Sequence, residues 1–170
     1  MTRRSRVERR LTKLLRENST DILRYLQRRV GPDDAPDLYG ETMLVVWRRV
    51  DNLPEDSEEA RMWLFGVARG VLLNQARAER RRLALVDRLR IHMPRTQATP
   101  AADDGSEVRD AIARLTPEYA EIVQLVHWDG FALNEAAAII GVSAATARAR
   151  YSRAKKRLRA ALAPVETASL

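Results

Sequence analysis

The 170-residue chain has no cysteine, which removes disulfide scaffolds, thiolate zinc sites and thiol nucleophiles at once. Its two histidines, His92 and His127, stand far apart with no ligand-spaced neighbours, so no metal site is expected. His127, beside Trp128 at a helix end, is expected to pack or cap. No run approaches the ~18 consecutive apolar residues that cross a bilayer, and the arginine-rich start MTRRSRVERR lacks the apolar segment of a secretory signal. Membrane insertion is therefore not expected, and the chain reads as cytoplasmic. Also missing are a glycine-rich phosphate loop with lysine and a nucleophile–base pair. The expectation is no enzyme, no cofactor and no small-molecule substrate.

The most telling absence is local. Between Glu135 and Glu166 there is no Asp or Glu, yet that interval holds seven Lys and Arg, numerically the whole net charge of +7. Such one-sided charge speaks of partners, and nucleic acid or an anionic membrane surface both fit it. What is present is enough apolar residue, 45%, to bury a core as one domain or as two small ones joined by a linker.

Strand signals are almost absent, whereas helical periodicity recurs in nearly every segment, so the chain should be all-α. A first helix is predicted over residues 7–30, with Leu11, Leu15, Ile22, Leu26 and Val30 inward, before the breaker GPDD. A second covers about residues 35–50. A third starts near Glu58 or Glu59 and runs through MWLFGVARGVLLNQARAERRR, weakened at Gly66 and Gly70. Residues 91–107, rich in small and polar residues with two prolines, form a flexible linker. It separates a helical domain over 1–90 from a second over 108–170. The second includes Thr116-Pro117-Glu118, a helix start with N-cap, proline and acid.

From Ala132 to Leu158 the chain has the grammar of a helix-turn-helix: small Ala137, then Gly141, Val142 in the turn, Ser143 as N-cap, and a longer helix. Ala147, Tyr151, Ala154, Leu158 and Ala161 form its inward stripe. Arg148, Ser152, Arg153, Lys156 and Arg159 point away. A merely solvated face would normally mix in acids for i,i+4 support, and none is present. Arginine there can meet phosphate and read guanine.

In the first half, Tyr39, Met43, Val46 and Val50 make one stripe and Asp37, Glu41, Leu44 and Arg48 another, a mixed face suited to a protein partner. On the third helix Phe65, Ala68, Leu72 and Ala76 face inward, leaving Arg69, Leu73, Arg77 and Arg80 on another side. Trp63 near its start is either a stacking platform for melted DNA or a core tryptophan.

These residues resemble the small two-domain alternative sigma factors of bacterial RNA polymerase, the extracytoplasmic-function type. DAPDLYGETMLVVW resembles the polymerase-docking helix, WLFGVARGVLLNQAR the minus-ten segment, and LTPEYAEIVQLVHWDGFALNEAAAIIGVSAATARARYSRAKKRLR the minus-thirty-five reader. The resemblance implies core polymerase, promoter DNA and an anti-sigma factor as partners. It implies core-polymerase contacts at Asp37, Leu38, Glu41, Leu44, Trp47 and Arg48. It implies minus-ten contacts at Asn52, Trp63, Arg69, Asn74, Arg77, Arg80 and Arg81, with base capture by the loop 51–60. Minus-thirty-five contacts fall to Ser143, Thr146, Arg148, Ser152, Arg153 and Lys156. Tyr39-Gly40, Gly70, Asn74 and Ala132 depart from the family's usual residues, and Ala144, Ala145 and Ala149 shift upstream readout toward arginine and DNA shape. The alternative is a stand-alone helix-turn-helix regulator whose first half senses a ligand or dimerises.

Overall fold

The structure is a computed structural model that describes residues 3–89 and 106–163. The described residues are helical with no strand, and the chain divides into two compact units, Met1–Pro94 and Arg95–Leu170. The expected linker lies almost wholly outside the described residues. Its last two positions, Ser106 and Glu107, belong to a helix instead.

In the first unit, α1 (Arg3–Val30), α2 (Ala35–Arg48) and α3 (Ser57–Leu89) pack pairwise, with a 3-10 turn at Val50–Asn52. The buried seam of α1 is Leu11, Leu14, Asn18 and Ile22, stepping by three or four, then Tyr25 and Leu26 side by side one turn on, while Leu15 and Val30 are only half-buried. Asn18 is tolerated inside because its amide is satisfied at both ends. Its Nδ2 donates to the Leu14 carbonyl at 2.9 Å, and its Oδ1 accepts from Arg61 Nε at 3.2 Å. Tyr25 and Phe65 meet edge to face, ring centroids 5.2 Å apart, locking α1 to α3. Gly31 ends α1 at φ +88°, its N–H bonding the Gln27 carbonyl at 2.9 Å, and Pro32 then forbids continuation.

Two differences from the sequence expectation have physical causes. In α2 the buried residues are Ala35, Leu38, Thr42 and Val46, whereas Tyr39, Met43 and Val50 are half-buried. Thr42 reaches the interior because its hydroxyl donates to the Leu38 carbonyl at 2.7 Å, which hydropathy alone does not register. And α3 begins at Ser57 because the Asp56 carboxylate accepts from the N–H groups of Glu58 and Glu59, both at 2.9 Å. Its buried residues are Ala60, Leu64, Phe65, Val67, Ala68 and Val71; Leu72 is half-buried and Ala76 exposed.

The second unit holds α4 (Ser106–Ala113), α5 (Pro117–His127), α6 (Leu133–Ile140) and α7 (Ala144–Ala161). α5, α6 and α7 pack against one another and α4 against α7. Ile112, Leu115, Ile122, Leu125, Phe131 and Ile139 supply the bulk of the core, and Ala136, Ala137, Ala147 and Ala154 let backbones approach. α6 begins with half of a reciprocal cap: the Glu135 carboxylate accepts from the Ala132 N–H at 2.7 Å, but alanine returns nothing.

Ala132→Ser supplies the missing acceptor on a backbone already extended at φ −63°, ψ 156°. It is expected to stabilise the unit by about 0.5–2 kcal/mol. The check is a higher urea midpoint for the full chain; an unchanged one means water already serves the free N–H.

Candidate docking face and nucleic-acid interface

The outer side of α2 carries Asp37, Glu41, Leu44, Trp47 and Arg48, all exposed. Leu44 is 59% and Trp47 46% exposed, two large apolar side chains one helical turn apart that the unit itself leaves uncovered. Leu38 differs from the expected set. It is buried at 4% exposure, so it anchors α2 from beneath and is not part of its outer surface.

The loop before α3 is pinned from below. Leu53 is buried, and the Arg10 guanidinium of α1 donates to the Pro54 carbonyl. Asp51, Asn52, Glu55 and Asp56 remain exposed. Between this loop and α1 lies a cleft of about 430 Å³ whose walls include Arg10, Asn18, Leu53 and Arg61. Arg61 is steadied by Asn18 and, at 3.8 Å, by Asp21. Arg10, Asn18 and Arg61 did not stand out in the sequence. The one visible signal was an asparagine occupying a core step of α1.

Along α3, Trp63 and Arg69 are half-buried, and Asn74, Arg77, Arg80 and Arg81 are exposed. Trp63 is thus neither sealed in the core nor free of it. Arg77 reaches Asn74 Oδ1 at 3.4 Å and Arg80 Nε the Ala76 carbonyl at 3.2 Å, so both lie along the helix surface. Glu79 is gripped by Arg82 through two hydrogen bonds of 2.7 and 2.9 Å. Those bonds hold its carboxyl below the ordinary carboxylate range, chiefly by stabilising the anion. The pair neutralises itself, and Arg77, Arg80 and Arg81 set the sign of this stretch.

In the second unit the turn between α6 and α7 is built on Gly141 at φ +79°, whose N–H bonds the Ala137 carbonyl at 2.9 Å, as the Val142 N–H does at 3.0 Å. Ser143 caps α7: its Oγ accepts from the Thr146 N–H at 3.1 Å and lies 2.9 Å from the Thr146 hydroxyl. Both side chains are exposed. Ala147 and Ala154 are fully buried, Tyr151 and Leu158 half-buried, and Ala161 exposed, so the inward stripe is shorter than its periodicity suggests. Arg148, Ser152, Arg153, Lys156 and Arg159 are all exposed on the opposite side.

α5 holds α7 by its edges. Arg150 pairs with Glu118 at 3.3 Å, and Tyr151 Oη lies 2.9 Å from His127 Nε2 with the rings stacked at 22°. His127 therefore braces α7. Among the described residues no three His, Cys, Asp or Glu gather as a metal site, and no helix is long and apolar enough to cross a membrane.

Both units match models of one family. Residues 14–82 match the sigma-70 region 2 model, and residues 106–158 match sigma-70 region 4. An extracytoplasmic-function (ECF) RNA polymerase sigma factor of Mycobacterium tuberculosis, SigL, is 29% identical over 86% of this chain and 85% of its own. The ECF sigma factor EcfG of Rhodopseudomonas palustris is 30% identical over 76% of this chain and 72% of its own. Among solved structures, the sigma factor RpoE of Bartonella quintana, crystallised with the anti-sigma factor NepR, superposes with a TM-score of 0.72 at 25% identity, over 89% of this chain and 96% of that one. With both of its units matched in order, the chain belongs to the sigma-70 family and is an ECF-type sigma factor of bacterial RNA polymerase.

Proposed function

We propose that the first unit docks on core polymerase through the outer face of α2 and engages the minus-ten element through the loop 51–60 and α3, while the second unit reads the minus-thirty-five element with α7. A sigma factor lends promoter choice and melting to the polymerase and is not itself an enzyme. The observation that carries the division of labour is the contrast between the two exposed faces. The α2 face is apolar at its centre, with Leu44 and Trp47 ringed by Asp37, Glu41 and Arg48. That is how a protein interface is built. The α7 face is cationic with no acid on the helix, which is how a DNA interface is built.

Within this reading α6, the Gly141 turn and α7 act as a helix-turn-helix, with Arg148, Ser152, Arg153 and Lys156 toward the groove and Ser143 and Thr146 at the phosphates. Asn52, Trp63, Arg69, Asn74, Arg77, Arg80 and Arg81 serve the melted strand, where half-exposed Trp63 offers a ring edge and the arginines meet phosphate. The domain boundaries are those of the sequence, 1–90 and 108–170, except that Ser106 and Glu107 join the second domain as the start of α4. The chain works in the cytoplasm, where the polymerase is. The solved complex of the Bartonella relative with its anti-sigma factor supports an anti-sigma partner for this chain as well.

Reconstituted transcription with purified core polymerase over a promoter library tests the whole. Promoter-selective initiation supports it; binding to a duplex operator alone, with no polymerase dependence, favours a stand-alone regulator. Two substitutions test the parts. Leu44→Asp sits on an exposed position, so circular dichroism should be unchanged while affinity for core polymerase falls by at least about tenfold, because a carboxylate is buried unpaired. Unchanged affinity refutes the docking face. Arg153→Ala should cost about 1–3 kcal/mol of promoter discrimination, roughly five- to 150-fold in activity at promoters with the native upstream element. Equal loss at every promoter removes Arg153 from base readout.

A further inference from the structure

Where α7 passes the first turn of α5, a cleft of about 330 Å³ opens, lined by Tyr119, Arg153, Lys156, Arg157 and Ala160. Three of the five are cations, and their i, i+3, i+4 spacing sets them along one flank of the helix. None of the three makes an ion pair within the described residues. The carboxylate beside the cleft in sequence, Glu118, is already engaged by Arg150 at 3.3 Å, and α7 has no acid to offer. The Arg157 guanidinium lies 5.0 Å from the centre of the Tyr119 ring, held by its flat face. Its N–H fork and the Tyr119 hydroxyl form no hydrogen bond within the described residues.

The Arg157 guanidinium fork, the Lys156 ammonium and the Tyr119 phenol lining one small cleft make a donor-rich set without a carboxylate. The ligand that suits it is a compact oxyanion with several acceptor oxygens, and phosphate matches that geometry. We propose that this cleft binds phosphate, and that in use the phosphate is a backbone phosphodiester of the duplex on which α7 lies. Arg157 and Tyr119 are then DNA-binding residues beyond the bases read by the outer face of the helix. The proposal rests on the reading of α7 as the DNA-contacting helix. A phosphodiester has no sequence identity, so the cleft sets register and affinity while Arg148 and Arg153 choose bases.

The test uses the full chain with core polymerase, comparing wild type, Arg157→Ala and Arg157→Lys on a cognate promoter and on one with a scrambled upstream element, across a sodium chloride series. Arg157→Ala should weaken binding by the same factor on both duplexes. It should also lower the slope of log affinity against log salt by about 0.9, the value of one phosphate contact on B-form DNA. Arg157→Lys, which keeps the charge, should retain the slope. If wild type discriminates between the duplexes and Arg157→Ala has the wild-type slope, the cleft is refuted and the reading of α7 survives. If wild type itself does not discriminate, that reading fails and the cleft with it. Replacing chloride by inorganic phosphate at constant ionic strength separates the two sources. If the cleft holds a phosphodiester, inorganic phosphate competes for it and weakens wild type more than Arg157→Ala; wild-type affinity that is unchanged or strengthened by phosphate overturns it in favour of a free phosphate.

Discussion

Seven like charges on an eighteen-residue helix repel one another, and α7 carries no carboxylate of its own to offset them. Everything in the second unit is arranged around holding that helix down. Ala147 and Ala154, fully buried, bring its backbone close to its neighbours, and with side chains this small the attraction comes from close packing more than from area. α5 then grips both flanks, with Glu118 on Arg150 and His127 on Tyr151. Aromatic rings stand in for missing acids: Lys155 lies 4.8 Å from the Tyr151 ring centre and Arg157 5.0 Å from that of Tyr119. The charge is held in place without being neutralised, so it stays available to a polyanion.

The first unit meets the opposite requirement, an apolar face that has to stay soluble. α2 places Leu38 and Leu44 less than two turns apart, one buried and one exposed, and the difference decides their roles. Leu38 belongs to the core with Ala35, Thr42 and Val46. Leu44 and Trp47 stand among Asp37, Glu41 and Arg48, whose charges keep the surface hydrated.

Much of this was legible in the residues. The all-α class, the Gly141 turn, the Ser143 cap and the outward set Arg148, Ser152 and Arg153 follow from periodicity and from turn chemistry, both local. What escaped was set by pairing between distant segments or by polar groups hidden inside. Asn18 is a bonded core residue of α1 that apolar periodicity passes over, because its partner Arg61 is on another helix. Thr42 takes the interior position in place of Met43 through a bond to the Leu38 carbonyl one turn back. Leu38, grouped with the docking residues by resemblance to the family's pattern, is buried; a match by position does not register which side of the helix the unit covers.

Between Asn74 and Leu85 every side chain of α3 is exposed except that of Glu79, which is half-buried. This stretch lacks buried apolar side chains of its own, so its helicity rests on backbone bonds and on pairs such as Arg82–Glu79. Such a segment opens at a lower free energy than the core it extends from. A ligand that needs it straight must supply part of the ordering free energy, so its apparent affinity contains a helix–coil term. Residues on this arm that touch nothing can thus tune binding, by making the helix a little easier or harder to keep.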